Sequence, residues 1–279
     1  MSLSGSCRLF KLCRQGIYQQ QTRDELRIQR LEAVKSMVIA RRRDMPRLGT
    51  RKLYFLMKDE LTRHDVKLGR DGLFNYLREQ QMLVPPRRAY RKTTWSKHWM
   101  KKYPNLLRDL KVERPEQAWV SDITYLSSAD NVYYLSLVTD VFSRKIIGYH
   151  VSADLHTESV VKALKMAIKS RKTKLPLLHH SDRGSQYCSI LYQQLLKKNH
   201  IQSSMTEGVG DCYQNAIAER VNGILKDEFL PTDLLDPETL TTIVTESIKI
   251  YNDKRPHLSL NYLTPSYLHK QHSKPVNVF

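Results

Sequence analysis

The chain reads as an α/β protein, a mixed sheet flanked by helices, preceded by a small all-α, helix-turn-helix-like DNA-binding segment. Three observations predict this. Between residues 118 and 151, three runs rich in Val, Ile, Tyr and Thr follow one another closely, the pattern of meandering strands. Beyond them, helical periodicity and short apolar runs alternate, which in one chain places helices against a sheet. Before them the charge is one-sided: residues 1–118 carry 28 Lys and Arg against 12 Asp and Glu, whereas 119–279 carry 18 against 16.

The basic segment opens with a helix predicted over 22–44, where Leu26, Ile28, Leu31, Val34, Met37 and Val38 recur at near-helical spacing. Arg41, Arg42 and Arg43 suit the negative end of its dipole, and Pro46 stops it. After Gly49, Thr50 is placed to cap a second helix carrying Leu53, Leu56, Met57 and Leu61. A third begins near Arg70 or Asp71, with Leu73, Phe74, Leu77, Met82 and Leu83 apolar and Arg70, Asn75, Arg78 and Gln81 on another face. Short helices and short turns in a basic segment suggest a helix-turn-helix over 1–83, its last helix offered to the major groove. A small helical bundle with a solvated basic surface satisfies the same pattern.

Regularity fades over 84–116. Arg87, Arg88, Arg91, Lys92, Lys97, Lys101 and Lys102 alternate there with Tyr90, Trp95, Trp99 and Tyr103. Cations neutralise phosphates and aromatic rings stack on bases, so this linker is suited to tracking DNA. A solvated linker whose rings dock on the next domain is the alternative.

The second domain, 117–272 with a tail at 273–279, opens with strands predicted over 118–126, 132–139 and 145–151, the first two joined by the turn Ser128-Ala129-Asp130-Asn131. A helix over 157–171 follows, then a short strand over 177–180 leading to Asp182. Another helix, 189–198, leads to a strand at 201–205, and helices over 214–229 and 238–251 close the domain.

Composition narrows the function. A net charge of +18 favours polyanionic partners. Cys7, Cys13, Cys188 and Cys212 show neither a Cys-x-x-Cys pair nor a histidine pair at zinc spacing, which argues for a reducing, cytoplasmic setting without structural zinc. No apolar run approaches a membrane span, and the first residues lack a secretory apolar region.

Three acids stand where the local pattern does not need them. Asp122 interrupts a strand between Val120 and Thr124, although Asp is poorly suited to strand interiors. Asp182 ends a short apolar strand just before Arg183-Gly184, where α/β sheets place functional side chains and where turns also use Asp. On a helical wheel, Ile217, Val221, Ile224 and Leu225 share one side, with Asn215, Glu219, Asn222 and Lys226 opposite. That polar row is ordinarily wet surface; beside two other isolated carboxylates it offers Glu219 to metal and Lys226 to phosphate. Hard oxygen ligands favour Mg²⁺ or Mn²⁺, and two such ions suit phosphodiester chemistry.

At these residues the chain resembles bacterial insertion-sequence transposases of the retroviral-integrase (DDE) superfamily, most of all the catalytic-frame protein of the insertion-sequence family numbered three. The resemblance rests on five pieces in order. They are Trp119-x-x-Asp122-Ile123-Thr124-Tyr125, Asp140-x-x-Ser143-Arg144-x-x-x-Gly148, and His180-Ser181-Asp182-Arg183-Gly184-Ser185-Gln186-Tyr187. The last two are Asn215-Ala216-x-x-Glu219 with Lys226, and Tyr251-Asn252-x-x-Arg255-Pro256-His257 with Thr264-Pro265. It implies an RNase H-like fold, a metal-binding triad of Asp122, Asp182 and Glu219, and Lys226 as a DNA contact. Between Asp182 and Glu219 stand 36 residues, one more than in many relatives, and Gln214 replaces a common Asp, so the loop 207–213 is expected to differ in shape.

The expectation is therefore a transposase that cleaves and joins DNA without a covalent enzyme intermediate. His179, His180, Arg183 and Gln186 are candidates to line the site, and Lys226, Arg183, Asn222, Arg70, Arg78, Arg87 and Arg88 to touch DNA. Expected partners are element-end and target DNA, further copies of the chain, and the first-frame protein of such elements, in a bacterial cytoplasm at the nucleoid. A nuclease of the same fold without joining activity and a non-catalytic DNA-binding relic are the alternatives.

Overall fold

The computed structural model describes residues 13–85, 99–127, 132–207, 215–231 and 236–271, with Cys7 and Phe10. Arg87, Arg88, the turn 128–131, Gln214 and the tail 273–279 lie outside the described residues. The chain divides into two compact units between Pro85 and Pro86.

In the first unit α1 (Arg14–Asp44) is followed by α2 (Thr50–Arg63) and α3 (Arg70–Glu79). The first helix begins eight residues before the predicted start. Its early turns are rich in Arg and Gln, good helix formers that leave no apolar face for periodicity to detect. Its buried face begins at Val34, Met37 and Val38, and a core with Leu53, Met57, Leu61, Leu73 and Leu77 closes the unit. Tyr76 Oη donates to Leu31 O at 2.9 Å and Arg42 Nη1 to Met82 O at 2.6 Å, tying α3 and the chain after it back to α1. Gly49, not Thr50, is the cap of α2. Phe74, expected on the apolar side of α3, is 39% exposed and carries the Arg78 guanidinium 4.9 Å from its ring centroid.

The second unit is built on β1 (Ala118–Ser127), β2 (Val132–Asp140), β3 (Ile146–Ser152), β4 (Leu177–Ser181) and β5 (Ile201–Met205). Their order across the sheet is β3-β2-β1-β4-β5. β1, β2 and β3 form the antiparallel meander, and β4 and β5 add in parallel. The parallel additions need crossovers, which α4 (Thr157–Ser170), the short α5 (Ser185–Cys188) and α6 (Ile190–Lys198) supply. On the other face lie α7 (Ala216–Ile224), a π-helical turn (Leu225–Phe229), α8 (Pro237–Asp253) and, after a 3₁₀ turn (Leu258–Leu260), α9 (Pro265–Gln271). Among these, α5, the 3₁₀ turn and α9 are too short for a periodicity signal and were not predicted.

Alternation along β1 divides the core. Trp119 joins Leu164, Ala167, Tyr187 and Tyr192 under the crossover helices. Val120 and Leu126 face the other way, into apolar clusters with Ala218 and with Val221 and Val244. Gly148 is required where α4 presses on β3, because a Cβ there would stand 2.2 Å from Ala163 O. The described part of the predicted linker, 99–116, packs on this unit. Leu106, Leu107, Leu110 and Val112 pack against the Val120 cluster, and Met205 N donates to Pro104 O at 3.2 Å. The extended domain thus reaches further upstream than residue 117, through contacts that a polar, irregular sequence does not announce.

Candidate active site

Asp122 and Asp182 come together through strand register. Ser121 stands opposite Ser181 in the parallel β1–β4 pair, so the next residue of each chain emerges side by side on the face covered by α7. The Asp182 backbone has just left the sheet, and its Oδ1 accepts from Gly184 N at 2.9 Å, the short turn that lets the chain double back. Asp122 lies between the two apolar clusters on that face and remains half-buried.

α7 is clamped over these acids by two asparagines. Asn222 Nδ2 donates to Asp122 Oδ2 at 2.7 Å, and Asn215 Nδ2 donates to Ser121 O at 3.1 Å. Both side chains are buried, although the helical wheel put them with the polar row. The buried face keeps the predicted Val221, Ile224 and Leu225 and widens to take in Ala218 and Asn222, because a hydrogen bond to the strand outweighs leaving an amide in water. Asn222 was expected at DNA; here it holds a carboxylate. Glu219 stays exposed beside them, and Lys226, on the π-helical turn, is half-buried. That turn departs from the predicted continuous helix: Leu230 N donates to Leu225 O at 3.0 Å, an i to i+5 bond. It is held by the bidentate pair of Arg255 with Glu228, at 2.7 and 2.6 Å.

Burial first, then the charge of Asp182 and, more weakly, that of Glu219 push the Asp122 carboxyl up to about 8, against the opposing bond from Asn222. The three acids therefore share one electrostatic site. As the chain stands, no three His, Cys, Asp or Glu side chains among the described residues are drawn close enough to enclose an ion. The loop 208–214 before Glu219 lies outside the described residues.

The neighbouring motif residues divide by face. His179 and His180 are both fully buried on β4. His179 Nε2 meets Ser121 Oγ at 2.8 Å and Tyr192 Oη at 2.9 Å under the crossover helices, and burial lowers its pKa to about 3, so the ring is neutral. His180 Nδ1 meets Ser204 Oγ at 2.8 Å, which also accepts from Leu106 N at 2.9 Å. Neither ring lines an open site. Gln186 Nε2 donates to Leu155 O at 3.0 Å, fastening the loop after Asp182 to the loop before α4. Arg183 is half-buried beside Asp182, whereas Arg70 and Arg78 are exposed on α3 in the other unit. Missed by sequence reasoning, the asparagine clamps had no local signal, because the helical wheel places both amides on the polar row.

The mixed five-stranded sheet, with Asp122 on a central strand, Asp182 just past the end of the neighbouring one and Glu219 on the covering helix, defines an RNase H-like core. Residues 112–208 match the integrase core domain, and 199–265 match a second description of that domain. A 31 kDa protein of insertion element IS600 from Shigella sonnei is 33% identical over 267 residues, 93% of this chain and 96% of its own. The transposase InsF of insertion sequence IS3A from Escherichia coli K12 is 31% identical over 271 residues, 95% of this chain and 92% of its own. The integrase chain of a simian T-cell lymphotropic virus intasome, solved with the PP2A subunit B56 gamma, shares the fold. The TM-score is 0.50 and the identity 18%, over 82% of this chain and 76% of that one. The chain belongs to the insertion-sequence transposases built on the integrase core domain.

Proposed function

We propose that this chain mobilises an insertion sequence by cutting and joining DNA strands at Asp122, Asp182 and Glu219. The observation that carries the reading is the emergence of Asp122 and Asp182 side by side beneath the helix that bears Glu219, with Asn222 holding one of them. The donor set fits Mg²⁺ or Mn²⁺: hard oxygens without Cys or His, in mutual repulsion that raises the Asp122 pKa and that a divalent cation relieves. When bound, two such ions supply Lewis acidity for the attacking and leaving oxygens of a phosphodiester.

The residues of the chain have separable tasks. Asp122 and Asp182 would hold the first ion and Glu219 would help hold the second. Asn222 and Asn215 keep α7 in register with β1, so that Glu219 stays over the two aspartates. Lys226 and Arg183 neutralise DNA phosphate beside the acids. Exposed Arg70 and Arg78 on α3 face duplex DNA. Element ends and target DNA are the substrates, and joining two ends calls for more than one copy of the chain, alone or with the first-frame protein of the element. No helix among the described residues is long and apolar enough to cross a membrane; a protein that acts on chromosomal DNA would work at the bacterial nucleoid.

Replacing Glu219 by Gln keeps size while removing charge. In a strand-transfer assay on oligonucleotides bearing the element ends, E219Q is expected to lose activity by about a thousandfold or more while binding the same DNA within about twofold. Strand transfer retained in E219Q overturns the assignment.

A further inference from the structure

At the end of the sheet away from the carboxylates, where β4 begins, cations gather from four separate parts of the second unit. Arg114 precedes β1. Arg171, Lys172 and Lys174 lie between α4 and β4, Lys145 follows the β2–β3 turn, and Lys270 is on α9. β4 is five residues long, so this pole stands about 15 Å from Asp182 along the strand.

Two of the acids near this pole are occupied inward, while Asp253, which acts on Lys145, is exposed. Glu116 is buried, with Oε1 accepting from Lys172 N at 2.8 Å and Oε2 from Thr173 N and Oγ1 at 2.8 and 2.9 Å. Asp140 is fully buried and accepts from Glu116 N at 2.7 Å and from Ser143 N and Oγ at 2.8 and 2.7 Å. Arg114 spends its guanidinium on carbonyls: Nη1 on Pro115 O and Glu116 O, both at 3.1 Å, and Nη2 on Pro176 O at 2.8 Å. Arg171 does the same with Leu175 O. Both arginines are thus pinned as fixed positive charge. Lys172, Lys174 and Lys270 reach into solvent around them, and none forms an ion pair among the described residues.

Holding these groups together carries a cost. Burial first, then the charge of Lys172 and, more weakly, that of Lys270 hold Lys145 below its ordinary pKa, against the opposing charges of Asp253 and Asp140. Like charges kept adjacent, with Asp253 as the one exposed acid acting on them, are a surface prepared for an anion. Because the cations spread over four chain segments and do not converge on one point, they match a ladder of phosphates better than a single one.

We propose that this cationic pole binds the backbone of a second stretch of duplex DNA, separate from the strand held at Asp122, Asp182 and Glu219. The proposal rests on the reading of the chain as a DNA-joining enzyme, which must hold more than one DNA segment.

The test is lysine acetylation of the full chain, read by mass spectrometry, with and without a 40-base-pair duplex of arbitrary sequence. It is paired with the salt dependence of binding for wild type and for the combined variant Lys172→Gln, Lys174→Gln, Lys270→Gln. Lys172, Lys174 and Lys270 are expected to be protected severalfold by duplex. The variant should lose about tenfold or more in affinity, with a log–log salt slope shallower by about 2 to 3. Duplex binding by wild type with these lysines as reactive as in free protein overturns the proposal and leaves the DNA-joining reading standing. Wild type that binds no duplex overturns both. Protection without DNA that grows with protein concentration assigns the pole to a contact between copies and overturns the proposal.

Discussion

Asp122 shows how one residue can carry both a structural cost and a function. A carboxyl in a sheet, beside two other acids, keeps its proton to about pH 8, whereas in the unfolded chain it ionises near its ordinary value of 3.8. Between those values the native state binds more protons than the unfolded one, so the metal-free protein loses stability as pH rises through that window and loses no more above it. Asp122→Asn removes the effect while keeping the bond site for Asn222. The metal-free variant is expected to be about 1–2 kcal/mol more stable than wild type at pH 8.5, solvent screening included, and close to it at pH 4.5. Thermal melts in chelator at the two pH values check this, and equal stabilities at both would contradict it. The position of Asp122 was readable because Asp breaks the strand pattern. Its partner Asn222 was not, because an amide on a helical wheel gives no sign of whether it meets water or a strand 100 residues away.

The helices after the sheet show what the motif residues outside the triad do together. Tyr251 Oη donates to Arg144 O at 3.0 Å, and Asn252 brackets Ile146, accepting from its N and donating to its O at 2.9 Å each. Ser143 Oγ meets His269 Nδ1 at 2.9 Å, so α9 is tied to the same β2–β3 turn. Arg255, with 1% of its side chain exposed, holds Glu228 and with it the π-helical turn that carries Lys226. These contacts fix α8 and α9 on the β2–β3 turn and, through Arg255, the π-helical turn that follows the helix bearing Glu219. Glu228→Ala leaves the Arg255 charge buried and uncompensated, which is expected to cost about 3–5 kcal/mol and lower the Tm by roughly 10 °C. The double variant Glu228→Leu, Arg255→Met should recover most of that loss in the same melt. No recovery would mean that the pair does more than satisfy itself. Long elements were readable from periodicity, whereas the π-helical turn was not, since its register depends on a partner 27 residues further along.

The two units are each closed around their own cores, with Leu53, Leu73 and Leu77 in one and Trp119, Leu164 and Val244 in the other. A fragment of residues 86–279 is therefore expected to unfold cooperatively by itself. It should still bind duplex DNA, with a shallower salt slope than the full chain, because it leaves behind half of the net charge. Calorimetry together with binding titrations at several salt concentrations checks both points. A fragment that melts without a cooperative transition would place part of its core in residues 1–85.

Composition and local pattern were enough to find the basic amino-terminal unit, the α/β unit and the three isolated acids, and the motifs around those acids carry the resemblance to the transposase family. Each leaves its mark within a few residues: a charge excess, a period of 2 or 3.6, an acid in a strand. Tertiary structure alone decided that Asn222 and Asn215 face β1, that His179 and His180 are buried on opposite faces of one strand, and that cations from four segments meet at one pole. Those outcomes follow from strand register and helix docking, which join residues distant in the chain and leave no local trace in its sequence.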